Sequence, residues 1–114
     1  MSDAPAPLTT ATFHVLLSLA DGDKHGYAIL RDVAEQTGGE VRLGAGALYA
    51  MIKRLLIDGY ITEVRHRPPA EQDDPRRRYY RLTAAGREAA VAETARMEKT
   101  LSRARRAMKA FRTT

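Results

Sequence analysis

From Ala84 to Phe111 the chain contains no proline and only one glycine, Gly86, and it follows Thr83, whose hydroxyl suits a helix N-cap. At about 1.5 Å per residue, an unbroken helix over that span is roughly 40 Å long. A chain of 114 residues supplies one modest core, which is too small to cover such a helix along its whole length. Met97, Leu101, Ala104, Met108 and Phe111 are spaced four, three, four and three apart, a heptad seam. The simplest partner for that seam is the same helix of a second copy, so residues 84–114 are expected to be a C-terminal dimerisation helix. Residues 9–83 are then left to make the compact domain. Residues 1–8, rich in proline and alanine, are expected to be a mobile lead-in.

Within that domain the strongest period lies between Gly46 and Gly59. Leu48, Met51, Ile52, Leu55 and Leu56 fall at i, i+3, i+4, i+7 and i+8, one face of a helix. The opposite face carries Tyr49, Ala50, Lys53 and Arg54, and Gly46 and Ala47 keep its start slender. Two helices precede it. The first runs from about Thr10 to Ala20, with Thr9 or Thr10 as cap and Phe13, Leu16, Leu17 and Ala20 at helical spacing. The second starts at His25-Gly26-Tyr27 and runs to about Thr37, with Tyr27, Leu30, Val33 and Ala34 as its inward stripe and Gly38-Gly39 as its stop. Val41 and Leu43 alternate with Arg42 and read as a very short strand.

After Gly59, the segments Tyr60–Arg65 and Arg76–Leu82 read as two strands, with a proline-containing loop from His66 to Pro75 between them. In the second strand Tyr80 and Leu82 share one face, and Arg77, Tyr79 and Arg81 share the other. The predicted fold is mainly α with a small β-hairpin: a winged helix-turn-helix plus a long C-terminal helix. In that pattern the third helix is the reader.

The charge balance agrees with an anionic partner. There are 19 basic and 14 acidic side chains, a net +5. With no cysteine, disulfides, thiolate metal sites and cysteine nucleophiles are excluded. No apolar run approaches the roughly 18 to 20 residues of a membrane span, and Met-Ser-Asp-Ala-Pro-Ala-Pro lacks the basic start and apolar stretch of a signal peptide. A cytoplasmic protein without membrane contact is expected. Ser2, Ser18 and Ser102, and His14, His25 and His66, are scattered without nucleophile or metal-ligand spacing, and Gly44-x-Gly46 lacks a third glycine. No enzyme, cofactor or metal is expected.

Several separated blocks occur in one order: Leu8 to Leu19; His25-Gly26-Tyr27; Leu43-Gly44-Ala45-Gly46-Ala47-Leu48-Tyr49; Lys53-Arg54-Leu55 with Asp58-Gly59-Tyr60-Ile61; and Arg77-Arg78-Tyr79-Tyr80-Arg81-Leu82-Thr83. Together they resemble the PadR family of bacterial transcriptional regulators, over about residues 8 to 88. The short tail is similar to the subgroup with a single C-terminal dimerisation helix. The resemblance implies a homodimeric repressor that binds an inverted-repeat operator in double-stranded DNA. It also implies release by a small-molecule effector at the dimer interface, and packing of Phe13, Leu16 and Leu17 on the partner's last helix. The family often has Thr or Ser where Ala47 stands; Ala47 offers only a methyl group, for instance to thymine.

The expected DNA contacts are therefore Gly46, Ala47, Tyr49, Ala50, Lys53 and Arg54 on the reading helix, with Arg76, Arg77, Arg78 and Tyr79 on the wing. The expected dimer interface is Phe13, Leu16, Leu17, Met97, Leu101, Ala104, Met108 and Phe111. Glu71, Asp73 and Asp74 at the loop tip either neutralise the wing arginines, which face His66 and Arg67, or turn the wing from DNA. His25-Gly26-Tyr27 either offers a backbone amide to a phosphate or starts its helix with Tyr27 on the core. The basic residues from Arg96 to Arg112 either solvate the dimer helix or touch DNA backbone. The competing reading is a winged-helix protein–protein module that never touches DNA; the basic face at Lys53 and Arg54 discriminates the two.

Overall fold

Thr9 opens the first helix, its hydroxyl accepting from the Thr12 amide at 3.2 Å. The structure is a computed structural model, which describes residues 4–65 and 77–111. In order, the elements are α1 (Thr10–Ser18), β1 (Lys24–His25), α2 (Gly26–Gln36), α3 (Ala45–Ile57), β2 (Ile61–Val64), β3 (Tyr79–Leu82) and α4 (Ala84–Met108). A 3-10 turn, Lys109–Phe111, extends α4. The three strands form one antiparallel sheet in the order β1-β3-β2. Mostly helical, with a small sheet and a long last helix, this is the winged-helix architecture read from the sequence.

The core is built where three helices meet the sheet. Val15, Leu16 and Leu19 from the α1 region, Ile29 and Val33 from α2, and Leu48, Ile52 and Leu55 from α3 pack with Ile61, Tyr80, Leu82 and Ala89. Each fully buried aliphatic side chain contributes about 1.5–3 kcal/mol. The phase of each helix follows from these residues and corrects three expectations. On α2 the inward stripe is set by Ile29 and Val33, so Tyr27 points outward, 59% exposed, with the Arg31 guanidinium 5.6 Å from its ring centre. On α3, Leu56 is partly exposed rather than anchored. On α1, Leu16 is 0% exposed and Phe13 is buried, so the protomer's own core uses both. That leaves Leu17, 41% exposed, as the α1 leucine open to a partner.

The short strand lies elsewhere than expected. Val41–Leu43 is not a strand, because the Val41 amide donates to the Thr37 hydroxyl at 3.0 Å while that hydroxyl donates to the Val33 carbonyl at 2.8 Å. The third strand is instead Lys24–His25, with Lys24 opposite Tyr80 and His25 opposite Tyr79. Residues 66–76, which include the expected loop and Arg76, lie outside the described residues.

α4 starts against the sheet. The Thr83 amide donates to the Tyr60 carbonyl at 3.1 Å, and the Thr83 hydroxyl accepts from the Gly86 amide at 3.1 Å. Gly86 has an ordinary negative φ; glycine is needed there for room, since a methyl group would stand 2.0 Å from the Tyr60 carbonyl oxygen. Farther along, α4 holds the end of the lead-in through Pro5, Ala6 and Leu8. The Leu8 amide donates to Glu93 Oε1 at 2.9 Å, and Arg96 donates to the Pro5 and Ala6 carbonyls at 3.0 and 3.3 Å. Arg96 also pairs with Glu93 at 2.7 Å. Beyond Arg96 every described residue of α4 is exposed. The projecting helix explains a radius of gyration of 16.7 Å, where a compact chain of this length has about 13 Å.

Candidate nucleic-acid interface

α3 meets solvent on the side opposite Leu48, Ile52 and Leu55. Gly46, Ala47, Tyr49, Ala50, Lys53 and Arg54 are all exposed there. The face is low at its N-terminal end, where the small residues lie, and cationic one turn later. Arg54 Nε lies 3.2 Å from the Asp58 carboxylate, with the arginine side chain 76% exposed. An exposed pair of this kind is worth at most about 1 kcal/mol, so a phosphate can displace the carboxylate at little cost. α3 ends on Gly59, whose φ of 77° lets the Tyr60 amide reach the Leu55 carbonyl and turns the chain into β2. That turn sets the hairpin beside the exposed face of α3.

Along and just before β3 the arginines differ. Arg77 and Arg78 are exposed, and Arg78 lies 3.5 Å from Glu63 across the sheet. Arg81 is held by two hydrogen bonds to Asp23, at 2.9 and 2.8 Å. Those bonds and the adjacent charge push the Arg81 guanidinium further up from its already high range and turn it towards the α1–β1 turn. Tyr79 is half-buried and stands edge-on to the His25 ring, with centroids 5.3 Å apart. Tyr80 is a core residue; burial, with the Glu63 carboxylate beside it, pushes its hydroxyl up.

His25, unremarked as a cap in the sequence, accepts the Ala28 amide through Nδ1 at 3.2 Å and so starts α2. Between that first turn, α3 and the start of β3 opens a cavity of about 360 Å³, lined by His25, Gly26, Tyr27, Tyr49, Arg77, Arg78 and Tyr80. The structure thus brings the HGY block, Tyr49 and the hairpin arginines to one concavity. Sequence reasoning missed Tyr27 as an exposed member of this surface. The signal was present in the aliphatic pair Ile29 and Val33, four apart, which outweighs a tyrosine in setting helix phase.

The expected dimer residues divide in the same way. Met97, Leu101, Met108 and Phe111 are 48%, 50%, 54% and 76% exposed, and Ala104 is exposed between them. A second cavity of about 460 Å³ lies along Pro7, Arg96, Met97, Leu101 and Ala104. Among the described residues, no group of three or more His, Asp or Glu side chains is placed to hold a metal ion, and no helix is long and apolar enough to cross a membrane.

Residues 15–92 match the profile of the transcriptional regulator PadR-like family. A protein of Lysinibacillus sphaericus, itself uncharacterised, is 27% identical over 77 residues, 64% of this chain and 64% of that protein; the chain covers less than two thirds of this relative. A transcriptional regulator from Clostridium thermocellum is similar in structure, with a TM-score of 0.70 at 25% identity over 84% of this chain and 87% of the other. Bacillus subtilis PadR in complex with operator DNA has a TM-score of 0.60 at 22% identity, over 72% of this chain and 45% of the other, a likeness of fold.

Proposed function

The chain belongs to the PadR-like family of transcriptional regulators, and on that premise we propose that it is a homodimeric repressor that binds double-stranded DNA at an inverted-repeat operator. The observation that carries the reading is the outer face of α3. Leu48, Ile52 and Leu55 fix the helix in the core, so small side chains, Tyr49, Lys53 and Arg54 are all presented outward. A slender, cationic helix face of this form fits a major groove, and Arg54 is suited to guanine O6 and N7. Arg77, Arg78 and Tyr79 flank it from the hairpin. On this reading residues 9–83 are the DNA-binding domain and residues 84–114 the dimerisation helix.

The dimer follows from the apolar row on α4. Met97, Leu101, Ala104, Met108 and Phe111 form a stripe that the protomer leaves in water, and Leu17 on α1 is exposed as well. Two reading helices then enter successive major grooves roughly 34 Å apart. A small-molecule effector at the dimer interface is part of the proposal. With no tryptophan in the chain, its site would rely on aliphatic and methionine contacts rather than stacking.

The test is a gel shift with genomic fragments selected by the wild-type chain. Changing both Lys53 and Arg54 to Ala is expected to abolish retention at moderate salt and to leave the dimer intact. Undiminished retention would mean that α3 is not the reader; a wild type that selects no fragment at all would favour the protein–protein module.

A further inference from the structure

We propose that Gly26 is a positioning residue for recognition: lacking a side chain, it allows the Tyr49 hydroxyl to stand against the first turn of α2, in the concavity shared with the start of β3. The proposal rests on the reading of the outer face of α3 as the DNA-contacting surface. A methyl group at Gly26 would lie 2.6 Å from the Tyr49 hydroxyl oxygen, 3.0 Å from Cζ and 3.2 Å from Cε1. Carbon–oxygen contacts normally open to about 3.3–3.6 Å. The three nearest atoms all belong to this one side chain. The backbone does not itself call for glycine, because Gly26 is not among the residues with positive φ. In a helix alanine is the better former, so glycine here sacrifices local helix stability to make room for the tyrosine.

The consequence of filling that room is specific. Tyr49 is 53% exposed, so an added methyl group turns its ring outward instead of opening the core. Gly26 therefore acts on where one hydroxyl stands and hardly on whether the chain folds. In its present place that hydroxyl faces the cavity lined by Arg77 and Arg78, one helical turn before Lys53. A phenol there can donate to a phosphate oxygen while the cations take its charge. Turned outward, the same ring obstructs the approach of the duplex.

The experiment compares the full-length wild type, Gly26→Ala, Tyr49→Ala and the double variant. Each is titrated with one duplex selected by the wild type, and each is melted. Each single substitution is expected to weaken binding about tenfold, the loss of one hydrogen bond to a charged group. The double variant is expected to bind no worse than Tyr49→Ala alone. The melting point of Gly26→Ala should match or exceed that of the wild type, which a merely structural glycine would not allow. Gly26→Ala binding like the wild type, or losses that multiply in the double variant, overturns the proposal. If Tyr49→Ala binds normally while the Lys53/Arg54 variant does not, the positioning role falls and the DNA reading stands; a wild type that retains no duplex overturns both. A crystal structure of Gly26→Ala with Tyr49 in its wild-type place also refutes the steric argument.

Discussion

Gly86→Ala probes the joint between α4 and the sheet. The methyl group would meet the Tyr60 carbonyl oxygen at 2.0 Å, the Tyr60 carbonyl carbon at 3.0 Å and Leu82 Cδ2 at 3.0 Å. Two of these atoms are backbone, so relief requires the first turn of α4 to lift by roughly 1.3–1.6 Å to reach an ordinary 3.3–3.6 Å contact. Lifting strains the Thr83–Tyr60 and Gly86–Thr83 hydrogen bonds, each worth about 0.5–1.5 kcal/mol net. Overpacking adds about 1–3 kcal/mol. The better helix propensity of alanine returns about 1 kcal/mol. The net loss is about 1–5 kcal/mol, a fall in Tm of roughly 4–20 °C for a chain of this length. Gly46→Ala is the control: nothing lies within 4 Å of its added methyl group, so propensity should raise Tm slightly. Circular dichroism melts at one fixed protein concentration read both, since dimerisation makes Tm concentration-dependent. A Gly86→Ala variant that melts at or above the wild type would refute the steric account of this joint.

Three other outcomes are expected. Leu101→Glu should yield a monomer by light scattering, because it puts a charge into the middle of the exposed α4 row; an unchanged dimer would show that the row is not the interface. Log binding constant against log salt should have a slope of about −7 if Lys53, Arg54, Arg77 and Arg78 engage phosphates in both copies; a slope near zero contradicts backbone neutralisation by these residues. Hydrogen bonds from the Leu8 amide and then from Arg96 hold the Glu93 carboxyl below the usual carboxylate range. A depressed folded pKa adds stability above the unfolded value of about 4.3, and that stability is lost as pH falls through the folded value. The protection of the Leu8 amide, taken relative to its intrinsic exchange rate at each pH, should accordingly fall on acidification, and Glu93→Gln should remove most of that dependence. Equal acid sensitivity in the two proteins would assign it elsewhere.

Much of the fold was legible because apolar periods are set by the core they enter. Leu48, Ile52 and Leu55 gave the reading face, and Tyr80 and Leu82 gave the buried side of β3. The α2 stripe was misphased because Tyr27 was weighed as apolar, although a tyrosine can lie outward with an arginine over its ring. β1 had no period to read: it is a lysine and a histidine, made a strand only by pairing with β3. The tie between the lead-in and α4 was equally silent, since Arg96 binds the backbone carbonyls of Pro5 and Ala6, which any sequence would supply. At the candidate site, the exposed residues of α3 were visible as the remainder of a helix wheel. The contact between Gly26 and Tyr49 was not, because it depends on how two helices cross.

The pairing of Lys24 with Tyr80 also bears on the order in which the chain folds. The two residues are far apart in sequence, and neither strand of that ladder is long enough to hold the other by itself. Closing so long a loop costs conformational entropy before any contact rewards it. The β2–β3 ladder and the three-helix core, whose contacts are more local, must assemble first and bring the strands into register. β1 is then the last segment to join the sheet and the first to leave it in native-state fluctuations. Because His25 both ends β1 and caps α2, that fraying reaches the first turn of α2. β1 and the first turn of α2 thus open as one unit, while the β2–β3 hairpin stays paired.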